Sequence, residues 1–244
     1  MATPVEKPLG FPKCAKCYWL KAGSAAECFG CAAKTLTRPK TALCPVCSQA
    51  LPTGSSTCRN SVCGWSDREI GRVAAIATYT HPLDAAIKAL KYNGQTGWAL
   101  IFGRIVHGWL NANATPETID LIVPNPTYAG PSTSARQHTE RVIDAAAQDD
   151  LTRRWRFDHS PWALSKPAET PSSANKTWRE KRDAAMAHAN AIAVDTRRVH
   201  GKRVLIYDDV CTTLLQMEYL ARRLKTEGAK SVNGLVLARL EYAS

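Results

Sequence analysis

The 244-residue sequence predicts a mainly parallel α/β sheet flanked by helices and preceded by a small cysteine-rich module. Three observations predict this fold class. Eight of the nine cysteines fall between Cys14 and Cys63. After Arg72, short apolar runs alternate with amphipathic segments, which is the pattern of a parallel sheet with helices on its faces. The clearest apolar run ends in two aspartates, Asp208 and Asp209, as a strand that leads into a binding site does.

The cysteine module, which we place over residues 1–70, contains two four-cysteine sets with nearly the same spacing. The first set is Cys14, Cys17, Cys28 and Cys31, and the second is Cys44, Cys47, Cys58 and Cys63. Paired thiolates on tight turns form closed tetrahedral Zn²⁺ sites, so we expect two structural zinc ions, each bound within one repeat rather than between repeats. A redox dithiol and an iron–sulfur cluster are the alternatives. With few aliphatic residues, the segment is expected to be held by metal rather than by an apolar core.

The first elements of the second unit, over residues 71–244, follow from hydrophobic periodicity. Strands are predicted at Val73–Tyr79 and Ile119–Pro126, the latter stopped by prolines. Between them, one helix places Leu83, Ile87 and Leu90 on a single face, and a second helix covers Trp98–Leu110.

The remaining elements continue the alternation. A helix is predicted from about Ser134 to Ala147, and a long loop rich in Pro, Ser and Thr covers Ser165–Thr177. The pattern then predicts a basic helix at Trp178–Ala189, a buried strand at Arg203–Val210, a helix at Leu215–Glu227 that stops at Gly228, and a strand at Ser231–Leu240. Trp65 is expected to pack the cysteine module against this unit.

The end of the strand that carries the acidic pair suits a sugar phosphate. Asp208 and Asp209 can bind ribose hydroxyls or a divalent metal. The hydroxyls and backbone N–H groups between Val210 and Thr213, at a helix N-terminus, suit a phosphate. A solvated strand end without a ligand is the alternative interpretation.

These residues resemble a known family. VLIYDDVCTT, followed by a helix and GAKSVNGLVLAR, is similar to the 5-phosphoribosyl-1-pyrophosphate (PRPP) signature of type I phosphoribosyltransferases. The chain more narrowly resembles the ComF family, associated with competence and DNA uptake: cysteine knuckles come first, then ATYTHPLDAAIKALKYNGQ, then IDLIVPNP with Arg136-Gln137-His138. The resemblance covers Cys14 to Arg239.

The resemblance implies roles for the motif residues. Asp208 and Asp209, the candidate catalytic residues, would bind the ribose 2- and 3-hydroxyls, and Mg²⁺ would bridge ribose and pyrophosphate oxygens. The candidate phosphate contacts are Val210, Cys211, Thr212, Thr213 and Leu214. A nucleophile would displace pyrophosphate from C1, which needs positioning and charge neutralisation rather than a protein nucleophile. The loop Asn125–Ser132 is the candidate pyrophosphate contact and Ser165–Thr177 the candidate flap.

Further basic residues are weaker candidates for phosphate binding, since charge runs are more often solvated faces. They are Lys88, Lys91, Arg136, His138, Arg179, Lys181 and Arg182. Cys211 lies inside the motif, where a small buried thiol is the expected role.

Two positions depart from the family pattern. Leu214 stands where the family has glycine, and Gln216 stands where it has threonine. Glycine permits a left-handed backbone or close approach to phosphate, and leucine resists both. Either the loop has another shape or the phosphate site is impaired.

Charge and composition leave the function open between classes. The net charge of +11 favours polyanionic partners. One hypothesis is a phosphoribosyltransferase that binds PRPP or a nucleotide. The second is a non-catalytic protein whose zinc ribbons and basic surface engage single-stranded DNA or a helicase partner, and the third is a sensor without turnover. Without an apolar run of about 18 residues or a signal-peptide core, we expect no membrane partner and a cytoplasmic location.

Overall fold

The computed structural model describes residues 25–38, 42–128, 130, 137–173 and 176–242. In these ranges the strands are β1 Ile70–Thr78, β2 Leu121–Pro124, β3 Leu164–Ser165, β4 Ala193–Val194, β5 Arg203–Cys211 and β6 Ser231–Arg239. The α-helices are α1 Ala25–Thr35, α2 Leu83–Tyr92, α3 Trp98–Asn113, α4 His138–Asp149, α5 Trp178–Asn190, α6 Thr196–Val199 and α7 Leu215–Thr226. Short 3₁₀ turns lie at Ser61–Gly64 and Pro116–Thr118.

Four parallel strands form the central sheet, in the order β1-β6-β5-β2. The strand β5 lies inside the sheet, with Pro124 of β2 opposite Tyr207 and Arg239 of β6 opposite Cys211. The carboxyl ends of these strands therefore meet at one edge. The predicted α/β class with a mainly parallel sheet is confirmed.

Helices cover both faces of this sheet, so alternate residues of each strand enter different cores. Leu205 and Tyr207 of β5 pack with α1, α2, α3 and α4, whereas Val204 and Ile206 pack with α5 and α7. Burial on both faces explains why β5 is a continuous apolar run in the sequence.

The predicted helices and strands of the second unit all lie within the described structure except for the first residues of the helix expected from Ser134. Residues 131–136 fall outside the described ranges, and α4 begins at His138. α7 ends before Gly228, whose φ of +86° is the left-handed conformation that glycine adopts readily. A side chain there would meet the ring of His200, since a Cβ would lie 2.4 Å from its Cδ2.

The first cysteine set differs from the expected pair of turns. Cys14 and Cys17 lie outside the described residues, and Cys28 and Cys31 lie on the helix α1. Cys28, together with Ala32 and Leu36, is buried in the core between α1 and the sheet. The expectation that this segment has no apolar core is wrong for α1, because residues spaced four apart place one apolar stripe against α3.

None of the helices in the described ranges is long and apolar enough to cross a membrane.

Candidate functional site

Two sites emerge from this fold: a cluster of four cysteines beside β1, and an acidic cleft at the carboxyl edge of the sheet.

The four-cysteine cluster consists of Cys44, Cys47, Cys58 and Cys63, whose sulfur atoms all lie within 4.8 Å of one another. The Sγ atoms of Cys47 and Cys58 are 3.7 Å apart. Tetrahedral Zn²⁺ with Zn–S bonds of about 2.3 Å places its sulfurs roughly 3.8 Å apart, so the donor set fits one such ion. Four thiolates in one repeat leave no open coordination position, and the site suits a structural metal.

Groups around the cluster donate hydrogen bonds to its sulfur atoms and stabilise the thiolate of Cys47. The N–H of Asn60 donates to the sulfur of Cys58, and the guanidinium of Arg239 donates to that of Cys47 at 3.7 Å. A hydrogen bond from Cys63 and the charge of Arg239 lower the pKa of the Cys47 thiol to about 5, although burial opposes this. Burial raises the pKa of the Cys58 thiol to about 11, and the hydrogen bond to Cys47 together with burial raises that of Cys63 above its ordinary value. Cys47 is therefore the sulfur whose anionic form is stabilised without metal, and a bound metal would favour the anionic form of the others.

The cluster is joined to β1. The hydroxyl of Ser48 donates to the carbonyl of Val73 at 2.8 Å, and the N–H of Val73 donates to the carbonyl of Val46 at 2.6 Å. Trp65 is half-buried, with its ring 6.4 Å from that of Trp178 on α5. The cysteines thus pack on the α5–α7 face, whereas Cys28 lies on the opposite face with α1.

The acidic cleft is a cavity of about 810 Å³ at the carboxyl ends of β2 and β5. Asp208 and Asp209 lie on its floor, and residues 166–173 of the predicted flap form part of its wall. Beside it lies a recess of about 230 Å³, lined by the turn from Val210 to Leu214 and by the first residues of α7. The first N–H groups of a helix have no intrahelical acceptor, so the end of α7 is suited to an anion.

Asp209 lies between the ammonium of Lys91 and the ring of His138, whose pKa, despite burial, is raised by Asp209. The ammonium of Lys91 is 2.8 Å from its Oδ1, and Nε2 of His138 is 3.0 Å from its Oδ2. Burial alone would raise the pKa of Asp209, but these two charges hold it well below its usual range. In turn the two aspartates raise the pKa of Lys91 above its ordinary value despite burial. Asp209 is therefore an ionised, neutralised carboxylate.

Asp208 has neutral partners instead. It accepts hydrogen bonds from the side-chain amide of Asn125 at 2.8 Å and from the N–H of Asp209 at 2.9 Å. Burial and the neighbouring charge of Asp209 raise its pKa to about 7. The two adjacent carboxyls consequently differ in protonation near neutral pH, and a divalent cation would favour the ionised form of both.

A buried histidine orients this amide. Burial, with the charge of Lys166, lowers the pKa of His188 to about 3, so its ring is neutral and Nε2–H donates to Oδ1 of Asn125 at 2.8 Å. The hydroxyl of Thr139 donates to the Asn125 carbonyl at 2.8 Å. Asn125 is thereby held by three elements, and its amide group faces Asp208.

The turn after β5 accommodates Leu214 without a glycine. Its φ is +67°, the left-handed conformation for which glycine is suited, and its side chain is buried among α7 and sheet residues. Leucine thus adopts a backbone conformation that glycine adopts at lower cost, and the burial of its side chain offsets the strain. Gln216 lies in the first turn of α7 and lines both cavities.

Most of the other predicted contacts lie around the cleft. Thr212 and Lys181 line both cavities, Thr213 and the buried Cys211 line the recess, and Lys88 lines the cleft, where it pairs with Asp84 at 3.0 Å. Arg136 lies outside the described residues, as do positions 129 and 131–132 of the expected pyrophosphate loop. Arg182 lies over the ring of Trp178 and lines neither the cleft nor the recess.

Three residues of the cleft, Asn125, His188 and Lys166, were not predicted individually from the sequence. Lys166 lines both cavities, donates to Thr170 at 2.7 Å, and has its pKa lowered by burial. Asn125 and His188 have partners far away in sequence, and Lys166 is recognised only by the cavities that it lines, so no short motif could identify them.

Comparison with known proteins gives only a distant likeness. No protein-family model matches the chain, and no curated protein does. Among solved structures, an HPRT glutamic acid mutant made to analyse an invariant aspartic acid matches with 16% identity and a TM-score of 0.31, over 60% of this chain and 68% of that one. A ternary substrate complex of a mutant hypoxanthine phosphoribosyltransferase from Trypanosoma cruzi matches with 15% identity and a TM-score of 0.30, over 60% and 68%. At such values the likeness assigns no activity.

Proposed function

We propose that the acidic cleft binds a ribose 5-phosphate ester of the PRPP type, with Mg²⁺. The observation that carries the proposal is the juxtaposition of Asp208 and Asp209, at the end of a buried strand, with a recess formed by the N-terminus of α7. The carboxylates suit the ribose hydroxyls and the cation, while the N–H groups at the recess suit the 5-phosphate. One sugar phosphate would span the acidic pair and the recess.

The charge distribution around the cleft supports a phosphorylated ligand. Lys91, Lys166 and Lys181 line it, and the net charge of the chain is +11. Lys166 is partly desolvated, so an anionic phosphate would gain more from it than from a fully solvated ammonium.

We further propose phosphoribosyl transfer as the reaction. The bond from C1 to the pyrophosphate oxygen breaks, pyrophosphate leaves with the electron pair, and a nucleophile forms the new bond to C1. Asp208 and Asp209 would hold the ribose, and the lysines would neutralise the leaving group. Because the reaction is mainly one of positioning, Leu214 does not disqualify the site as long as its left-handed turn is kept.

Calorimetry with PRPP and Mg²⁺ tests this function. We expect the wild type to bind and the Asp208→Asn/Asp209→Asn double variant to lose at least about tenfold in affinity, since charge-assisted contacts contribute roughly 1.5–3 kcal/mol each. Asp120→Asn is the matched control, because Asp120 pairs with Arg203 at the opposite end of the same strand. Pyrophosphate release with nucleobases would support transfer, whereas binding without release would indicate a sensor. No binding heat with the wild type would exclude both the transferase and the sensor.

A specific surface favours the ComF-like nucleic-acid hypothesis as a second candidate. Trp65, Trp178 and Tyr219 are half-buried, and the guanidinium of Arg222 lies 5.7 Å from the ring centres of both Trp65 and Tyr219. Aromatic rings with arginine form stacking platforms for single-stranded bases. Fluorescence anisotropy with a labelled oligothymidine should show binding that weakens with salt and with Trp65→Ala, but not with the Asp208→Asn/Asp209→Asn variant. Absence of binding at low salt would remove this candidate.

A further inference from the structure

Arg239 connects the four-cysteine cluster with the turn Val210–Leu214. It is the last residue of β6, lies opposite Cys211 in the sheet register, and is only 2% exposed. Its guanidinium reaches one site with each of its terminal nitrogens.

One terminal nitrogen, Nη1, donates to the turn. It lies 2.7 Å from the carbonyl oxygen of Cys211 and 2.7 Å from that of Leu240, and it also contacts the carbonyl of Thr212. Because a peptide unit is planar and trans, a carbonyl that points at Arg239 turns the N–H of the next residue the other way. The guanidinium therefore sets the direction of the N–H groups of Thr212 and Thr213, two residues that line the recess.

The other terminal nitrogen, Nη2, donates to the cysteine module. Its acceptors are Oε1 of Gln49 at 2.7 Å and the sulfur of Cys47 at 3.7 Å. Gln49 is also held by the last described residues, since its amide donates to the carbonyl of Tyr242 at 2.6 Å. The cluster and the turn thus share one buried cation.

The charge of this cation ties the two sites together. Arginine stays protonated in proteins, and a buried guanidinium needs a counter-charge. The guanidinium donates to carbonyl oxygens, to one side-chain amide oxygen and to one sulfur. Four thiolates around Zn²⁺ carry a net charge of −2, and the guanidinium contacts this group at the Cys47 sulfur, so metal in the cluster would strengthen the counter-charge and hold the guanidinium in place.

We propose that Arg239 is a positioning residue that couples metal occupancy of the four-cysteine cluster to anion binding at the turn Val210–Leu214. The zinc module then has a role in the cleft although none of its cysteines reaches the ligand. The anion-binding half of this inference rests on the proposed function. Coupling is reciprocal: metal must strengthen ligand binding by the same factor by which ligand strengthens metal binding.

The test uses full-length protein with Co²⁺ in the cluster, since cobalt thiolate bands report the environment of the sulfurs. Adding ribose 5-phosphate with Mg²⁺ should shift these bands in the wild type and leave them unchanged in Arg239→Met. The metal-loaded wild type should bind ribose 5-phosphate at least about fivefold more tightly than metal-depleted protein, the lower end of typical coupling. In Arg239→Met this ratio should fall to about one.

Arg203→Met is the matched control, because Arg203 is the first residue of β5 and pairs with Asp120 at the end of the strand away from the turn. It should keep both the band shift and the affinity ratio. Arg239→Lys keeps the charge but has one nitrogen in place of the two terminal guanidinium nitrogens, so we expect an intermediate affinity ratio. If Arg239→Met fails to fold, Gln49→Met, which removes one acceptor of the same nitrogen, replaces it and should also reduce the ratio.

Hydrogen exchange separates failure of this inference from failure of the proposed function. Metal loading should slow exchange at residues 210–216 in the wild type but not in Arg239→Met, with β2 as the internal reference. If ribose 5-phosphate does not bind in any metal state, the proposed function is wrong while the exchange result still reports the coupling. Equal exchange at the turn with and without metal, or an equal affinity ratio in wild type and Arg239→Met, would overturn the coupling.

Discussion

Single residues decide the chemistry of the cleft, and the clearest case is the unequal acidic pair. Asp208 and Asp209 are adjacent in sequence and both are buried, yet their pKa values move in opposite directions. The difference comes from partners: Lys91 and His138 face Asp209, whereas the amide of Asn125 faces Asp208. A dipeptide of identical residues therefore provides one fixed anion and one proton-exchanging group.

The raised pKa of Asp208 predicts a pH-dependent stability difference between the wild type and Asp208→Asn. Between the ordinary carboxyl pKa and about 7, the folded wild type holds a proton that the unfolded chain has lost, so its stability falls as pH rises. Asparagine cannot titrate. Urea unfolding at pH 5 and pH 8 should show the variant gaining about 1–4 kcal/mol relative to the wild type. A pH-independent difference would contradict a raised pKa.

The left-handed conformation of Leu214 predicts that glycine is no more destabilising than alanine at this position, which is the reverse of their order inside a helix. Leu214→Ala keeps the strain and loses the buried side chain, which costs about 2–5 kcal/mol. Leu214→Gly loses the same packing but relieves a strain of roughly 1–2 kcal/mol, so it should be at least as stable as the alanine variant by urea unfolding.

Leu215, the first residue of α7, is the control for this comparison. In a helix, glycine is less favourable than alanine by about 1 kcal/mol, so Leu215→Gly should have the lower free energy of unfolding of the two Leu215 variants. The same order at both positions would argue against a strained backbone at Leu214.

At the scale of elements, α7 organises both sites through a buried acid. Glu218 has no exposed surface and accepts the backbone N–H groups of Glu69 and Ile70 at the start of β1, together with the guanidinium of Arg222. One carboxylate thus fixes the helix to the segment where the cysteine module passes into the sheet.

Removal of this acid should be costly. Glu218→Ala leaves buried N–H groups without an acceptor, at about 1–3 kcal/mol each, so we expect a loss of roughly 2–5 kcal/mol in urea unfolding. Glu227→Ala at the end of the same helix removes a partly exposed pair with Arg223 and should cost less than about 1 kcal/mol. Similar losses for the two variants would show that Glu218 is not an anchor.

At the scale of the whole molecule, the four-cysteine cluster and the sheet share one buried core. Cys44 and Cys47 are part of the same buried cluster as Val73 and Val236 of the sheet, so the cysteine module is packed on the α/β unit. Metal bound to the four thiolates would therefore stabilise the sheet edge as well as the turns of the cluster.

Metal analysis tests this arrangement. Cys58→Ser should lower the zinc content by about one ion per chain, and chelation should lower the thermal midpoint of the wild type. Cys211→Ser is the control, because Cys211 is buried beside the turn and is outside the cluster. An unchanged zinc content in Cys58→Ser would refute the site. Cys28→Ser tests the first set, where a further loss is expected only if a second ion is bound.

The sequence alone predicted the four strands of the central parallel sheet, the helices α2, α3, α4, α5 and α7, and the second cysteine set, but not the short elements β3, β4 and α6. These features depend on periodicity and on spacing within short segments, as in the continuous apolar run of β5 or the pair Cys44 and Cys47. It also located the acidic pair at a strand end. The helix α1 was not foreseen, because its apolar stripe becomes evident only against α3.

Tertiary contacts determine which distant groups meet and which protonation state they adopt. His188 reaches Asp208 through Asn125, Lys91 neutralises Asp209, and Arg239 spans the cysteine cluster and the turn. Each depends on contacts between residues dozens of positions apart, and protonation depends on burial that no local pattern encodes. Packing likewise decided that a leucine can occupy the left-handed position at 214.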